Sequence, residues 1–125
     1  MCIRDRLWHE YFTNEDTRIV GMGLPPPKGV PIGSIQHAVG GTRRTILAYG
    51  SQANATFLDA VVAATGGAFD IIVDDASHIP QHGLYTLRHL FAKALAPGGR
   101  YILEDTHTYY KPCLLYTTPS PRDRG

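Results

Sequence analysis

Apolar and polar residues alternate along this chain in blocks that read in turn as helix end, strand, loop and helix. Leu7, Trp8, Tyr11 and Phe12 fall on one helical stripe, so Leu7–Phe12 is expected to close a helix. Arg18–Met22 (RIVGM) is a short β-branched run that stops at Pro25, Pro26 and Pro27, which lack the N–H groups a central ladder needs. Lys28–Gly41, with Gly29, Pro31, Gly33, Gly40 and Gly41, predicts an irregular surface connection. Thr45–Tyr49 (TILAY) predicts a second strand. Asn54 then caps a helix carrying Phe57, Leu58, Val61 and Val62 on one side, which ends at Gly66 and Gly67. The consecutive Ile71, Ile72 and Val73 of Phe69–Val73 predict a strand buried on both faces, ending in Asp74 and Asp75. Pro80 suits the first turn of a helix bearing Leu84, Leu87, Leu90, Phe91 and Leu95, which Pro97, Gly98 and Gly99 terminate. Tyr101–Leu103 is the last strand and stops at Glu104 and Asp105. Strands alternating with helices predict an α/β fold, with a mostly parallel sheet covered by helices on both faces.

Composition narrows the function classes. With 125 residues, 43% hydrophobic, and 12 basic against 11 acidic side chains, the chain is expected to form one compact domain with no electrostatic reason to bind nucleic acid. Asp59 and Asp70 interrupt the most apolar stretch, and no signal-peptide core opens the chain, so neither membrane insertion nor export is expected and the location is read as cytoplasmic. Cys2 and Cys113 are too few for a disulfide scaffold and wrongly spaced for zinc.

The two ends differ in character from the rest. One back-translation of CLLYT (Cys113–Thr117) is TGT CTC TTA TAC ACA. Its reverse complement, entered one base earlier as ATG TGT ATA AGA GAC, reads MCIRD, the first five residues. Residues 1–6 and 113–125 therefore resemble in-frame translation of a transposon end and adapter used to fragment DNA, although Thr118 stands where the adapter gives Ser. The ordinary alternative is a pair of disordered tails. Residues 7–112 then form the domain, with eight basic and nine acidic residues, and are expected to be an internal slice of a longer gene.

The candidate chemistry lies where an open parallel sheet places its ligand crevice, beyond the carboxyl ends of the strands. Asp74 and Asp75 end one strand, Glu104 and Asp105 another, and His78 follows in the next loop. Clustered carboxylates repel unless a cation or proton is shared, and an all-oxygen set favours Mg²⁺. A structural alternative is that Asp75 or Ser77 caps the helix ahead of Pro80. His78 and His82 in HIPQH have a zinc-like spacing but lack the glutamate of HExxH. His82 and His89 read as helix-surface or packing residues, while His107, Tyr109 and Tyr110 are open between site and surface.

FDIIVDDASH, followed by a helix and LAPGGRYILEDTHTYY, resembles the class I S-adenosylmethionine-dependent methyltransferases, and most of all the metal-dependent sugar O-methyltransferases that tailor macrolide antibiotics. LWHEYFTNEDTRIVGMGLPPP is similar to the segment those enzymes carry just after a first Gly-rich strand. The resemblance implies a partial Rossmann-like methyltransferase fold lacking that strand. It implies that Asp75, Glu104 and Asp105 hold Mg²⁺, that His78 is the general base, and that Asp74, with Gly50, Ser51 and Gln52, borders the nucleoside of S-adenosylmethionine. It implies a small-molecule acceptor with a sugar hydroxyl; a homo-oligomer in the full-length protein stays open.

Three departures from the family pattern bear on cofactor binding. The Gly-rich strand is missing, Gly23 stands where an acid normally holds the ribose, and the usual GDQ is Gly50, Ser51, Gln52. The slice alone is therefore expected to bind the methyl donor weakly and to be inactive. With an inner strand gone, two sheet edges and an apolar strip would be open, so aggregation is expected. Two alternatives remain at this point: a degenerate non-catalytic Rossmann-like domain, and a dinucleotide-dependent oxidoreductase, which should show GxGxxG and does not.

Overall fold

A computed structural model describes residues 3–37 and 44–107 and divides the chain into two compact units, residues 1–67 and 68–125. Cys2, Tyr109, Tyr110 and Cys113, considered from sequence, lie outside the described residues.

In the first unit, α1 (Ile3–Tyr11) precedes β1 (Ile19–Gly23), β2 (Ile35–His37), β3 (Thr45–Tyr49) and α2 (Ala55–Thr65). The predicted helix end near Leu7–Phe12 is present, and the helix begins earlier, at Ile3. Strand β3 is the centre of a three-stranded sheet ordered β1-β3-β2, parallel to β1 from Ile19↔Thr45 to Gly23↔Tyr49 and antiparallel to β2. Strand β2 corrects the expectation of an irregular connection over Lys28–Gly41. Ile35, Gln36 and His37 pair with Ala48, Leu47 and Ile46, because an edge ladder needs only three extended residues between turn formers.

The unit's core is Ile19, Leu47, Ala48, Phe57, Leu58 and Val61, all buried. Helix α2 follows its sequence signals closely. The Asn54 side chain accepts the Phe57 N–H at 3.1 Å, and Gly66 closes the helix in the left-handed region at φ +80°. Two arginines satisfy the carboxyl ends of the helices. Arg18 donates to the carbonyls of Thr65 and Gly67, and Arg44 to those of His9, Phe12 and Asn14.

The second unit consists of β4 (Phe69–Asp74), α3 (Pro80–Lys93) and β5 (Leu95–Leu103), with β4 and β5 parallel. Strand β5 is longer than Tyr101–Leu103. It starts at Leu95, so α3 ends before the residue assigned to its last turn. Pro97, Gly98 and Gly99 lie inside β5 as an irregularity, where two steps along β4 (Phe69 to Ile71) match five along β5 (Leu95 to Arg100). Proline is tolerated in a strand at such a bulge because no ladder hydrogen bond is asked of it there.

Burial in this unit corrects two further expectations. Ile71 is 52% exposed and Val73 37%, so β4 is not covered on both faces. Among the described residues its sheet has two strands, and α3 packs on β5. The buried positions of α3 are Gly83, Thr86 and Leu90, whereas Leu84 and Phe91, two turns apart on another flank, are exposed. Small Gly83 and Thr86 bring the helix close, and the Thr86 hydroxyl is satisfied by the His82 carbonyl at 2.8 Å. Among the described residues no helix is long and apolar enough to cross a membrane.

Candidate metal and base site

The carboxyl ends of β4 and β5 lie side by side because the two strands are parallel and in register there, Asp74 opposite Leu103. The Glu104 N–H donates to the Asp74 carbonyl at 2.9 Å, which extends the ladder one step past both strands. Immediately beyond it, ligand atoms of Asp75, His78 and Asp105 come within 4.8 Å of one another. Asp75 is half-buried with its Oδ1 atom shielded from solvent, and His78 and Asp105 are exposed.

The backbone that delivers these side chains is unusual. Ser77, His78 and Asp105 have φ of +52°, +51° and +53° without being glycine. Each such residue costs about 1–2 kcal/mol, and such conformations gather where a site imposes them. The His78 N–H closes a tight turn onto the Ala76 carbonyl at 2.7 Å. Helix α3 then starts with Ile79 as its N-cap and no side-chain cap bond, so neither Asp75 nor Ser77 fills the capping role considered from sequence. The Ser77 hydroxyl instead lies 3.2 Å from His82 Nδ1 and 3.5 Å from the Ile79 N–H.

Asp74 has a structural setting. It is 7% exposed, and its carboxylate accepts the Tyr101 hydroxyl at 2.9 Å and the Ala76 N–H at 3.3 Å. Tyr101 lies two residues before Leu103, the partner of Asp74, so both side chains stand on one face of the pair. Glu104 is exposed and is not part of the converging group. His107 is exposed and also outside it, and His89 stacks on Tyr85 with ring centroids 6.1 Å apart. In the first unit, Ser51 and Gln52 form the turn between β3 and α2. The Ser51 Oγ accepts the Ala53 N–H at 3.2 Å, and Gln52 is buried.

Sequence reasoning missed Tyr101 and the Ser77–His82 contact. The sequence marks Tyr101 only as the start of a strand, since its hydroxyl partner is set by strand register. Four residues lie between Ser77 and His82, and the two meet where the left-handed Ser77 and His78 fold the loop back on the helix.

The donor set fits a hard cation. Ligands on opposite sides of an octahedral Mg²⁺ stand about 4 Å apart, so the two carboxylates can share one ion while the imidazole, within 4.8 Å of both, stays beside it with its nitrogen open to a proton.

No family model matches the sequence. Over 107 residues the chain is 36% identical to the 8-demethyl-8-(2-methoxy-alpha-L-rhamnosyl)-tetracenomycin-C 3'-O-methyltransferase of Streptomyces olivaceus, covering 86% of this chain and 24% of that enzyme. Over 63 residues it is 44% identical to the mycinamicin VI 2''-O-methyltransferase of Micromonospora griseorubida, covering 50% of this chain and 15% of that enzyme. Among solved structures it is similar to the MycE methyltransferase in complex with Mg, SAH and mycinamycin VI. The TM-score is 0.57 and the identity 27%, over 98% of this chain and 38% of that one. The chain thus spans about a quarter or less of the curated relatives it matches, and it is related to sugar O-methyltransferases. None of these relatives is an oxidoreductase.

Proposed function

We propose that these residues supply the metal-binding and proton-accepting part of an S-adenosylmethionine-dependent O-methyltransferase that acts on a sugar hydroxyl of a small natural product. The observation that carries this reading is the meeting of Asp75, His78 and Asp105 at the carboxyl ends of two adjacent parallel strands. The chain's similarity to the O-methyltransferase of a rhamnosyl-tetracenomycin and to the mycinamicin VI 2''-O-methyltransferase supports the acceptor class. The solved relative that holds Mg and SAH supports the cofactors.

A sugar hydroxyl is a weak nucleophile near neutral pH and must lose its proton as it attacks. His78 is the group for that task, because an imidazole nitrogen offers a lone pair to a proton within hydrogen-bond reach. Asp75 and Asp105 would hold Mg²⁺, while Glu104, which the resemblance assigns to the metal, lies outside the converging group. Bound there, the cation would offset the negative charge that develops on the hydroxyl oxygen. As the oxygen–carbon bond forms, the methyl carbon–sulfur bond breaks, its electron pair returns to sulfur, and the hydroxyl proton passes to His78. Of the residues that the resemblance assigns to the methyl donor, Asp74 lies at this strand end. Its carboxylate accepts the Tyr101 hydroxyl and the Ala76 N–H, which hold it in place.

The test is transfer of a labelled methyl group from S-adenosylmethionine to a glycosylated macrolide or aromatic polyketide by the intact protein. Transfer is expected with Mg²⁺ and should fall at least a hundredfold, on the order expected for metal-assisted catalysis, when EDTA removes it. Metal binding without any transfer would support the degenerate-domain alternative.

A further inference from the structure

We infer that Ser77 and His82 are a positioning pair that fixes the orientation of His78, an assignment that rests on the methyl-transfer reading. Five residues lead from the end of β4 at Asp74 to Pro80, and two of them, Ser77 and His78, hold left-handed backbone conformations at φ +52° and +51°. Neither has the conformational freedom of glycine, so a restraint outside the two residues must hold them there.

The helix does not supply that restraint by ordinary capping, because its N-cap is Ile79. The Ser77 hydroxyl supplies one, reaching His82 Nδ1 at 3.2 Å in the first turn of α3 and accepting the Ile79 N–H at 3.5 Å. His82 is itself well held. Its N–H donates to the Ile79 carbonyl at 3.0 Å, and its carbonyl accepts the hydroxyl of buried Thr86 at 2.8 Å. A continuous set of bonds therefore runs from the buried face of the helix through His82 and Ser77 to the residue immediately before His78. Neither Ser77 nor His82 belongs to the converging group of Asp75, His78 and Asp105, so the pair acts on the chemistry only through the loop that carries His78.

The experiment is a double-mutant cycle on the intact protein with Ser77→Ala, His82→Ala and the combination. Each single substitution is expected to lower kcat about ten- to a hundredfold, the cost of misplacing a reacting group by an ångström or less. KM for S-adenosylmethionine should change less than about twofold, and the double variant should be no slower than the slower single one. His82→Asn places an amide nitrogen where Nδ1 stands and is expected to recover most of the rate. Singles with native kcat, or a double variant whose loss multiplies the two single losses, would overturn the pair. An unsubstituted protein that transfers no methyl group would sink the methyl-transfer reading instead. The pair is then judged by Mn²⁺ affinity measured by electron paramagnetic resonance, since Asp75 sits on the same loop. Ser77→Ala and His82→Ala should each weaken it about tenfold, as loss of an outer partner of a metal site does, and unchanged affinity would overturn the pair.

Discussion

At the scale of single residues, the site is built from side chains that ordinary sequence signals announce and backbone angles that they do not. Asp75, His78 and Asp105 stand out because charge at the end of an apolar strand needs a reason. Nothing in the letters Ser, His and Asp reveals φ near +50° at Ser77, His78 and Asp105. Glu104 shows the opposite case. Its sequence position equals that of Asp105 to within one residue, yet its N–H continues the ladder while Asp105 breaks away into the left-handed region. His78→Ala is expected to reduce kcat about 10²–10⁴-fold, the usual contribution of a positioned acid–base group, with methyl-donor KM little changed. Asp105→Asn should instead raise the Mg²⁺ concentration for half-maximal rate at least tenfold, roughly the effect of weakening a metal site. Steady-state kinetics at varied Mg²⁺ separate the two. Away from the site, Ala68 at φ +53° makes a control. Ala68→Gly should stabilise the fold by about 0.5–1 kcal/mol in urea titration, the relief of left-handed strain less the extra chain entropy of glycine.

At the scale of elements, the sequence succeeds where the determinant is local. Helix α2 begins and ends where Asn54 and Gly66 place it. The Gly50 turn before it is as sharply constrained, for a Cβ there would stand 2.6 Å from the ring of buried Phe57. Gly50→Ala should therefore destabilise the protein by about 1–3 kcal/mol, the range for overpacking a core, with a matching fall in the thermal midpoint. Strand β2 and the early start of β5 escaped the sequence reading because pairing across a sheet, not local propensity, makes Ile35–His37 and Leu95–Gly99 extended. Helix α3 shows the same limit. Its leucine pattern marks an amphipathic helix, but the choice of Gly83, Thr86 and Leu90 as the buried line was made by how closely the helix approaches β5.

At the scale of the whole molecule, each unit carries apolar surface that its own elements leave open. Leu7, Trp8 and Tyr11 on α1 in the first unit, and Ile71, Val73 and Ile102 in the second, are all exposed. Contiguous apolar surface of this kind drives association. The 125-residue chain by itself should bind a hydrophobic dye and self-associate in sedimentation velocity, and a monodisperse monomer without dye binding would contradict this. We also expect calorimetric titration of the chain with S-adenosylmethionine to give no micromolar affinity, given Gly23, Ser51 and the quarter or less of its curated relatives that it spans.

The sequence by itself determined the alternation of strand and helix, the caps of α2, and the strand-end carboxylates with their histidine. Those depend on periodicity, capping and charge, all of which act over a few residues. Tertiary structure alone decided that Asp75, His78 and Asp105 meet while Glu104 stands apart, that Tyr101 secures Asp74, and that Ser77 reaches His82. Each of these follows from strand register and the sign of φ, which depend on the packing of segments distant in sequence.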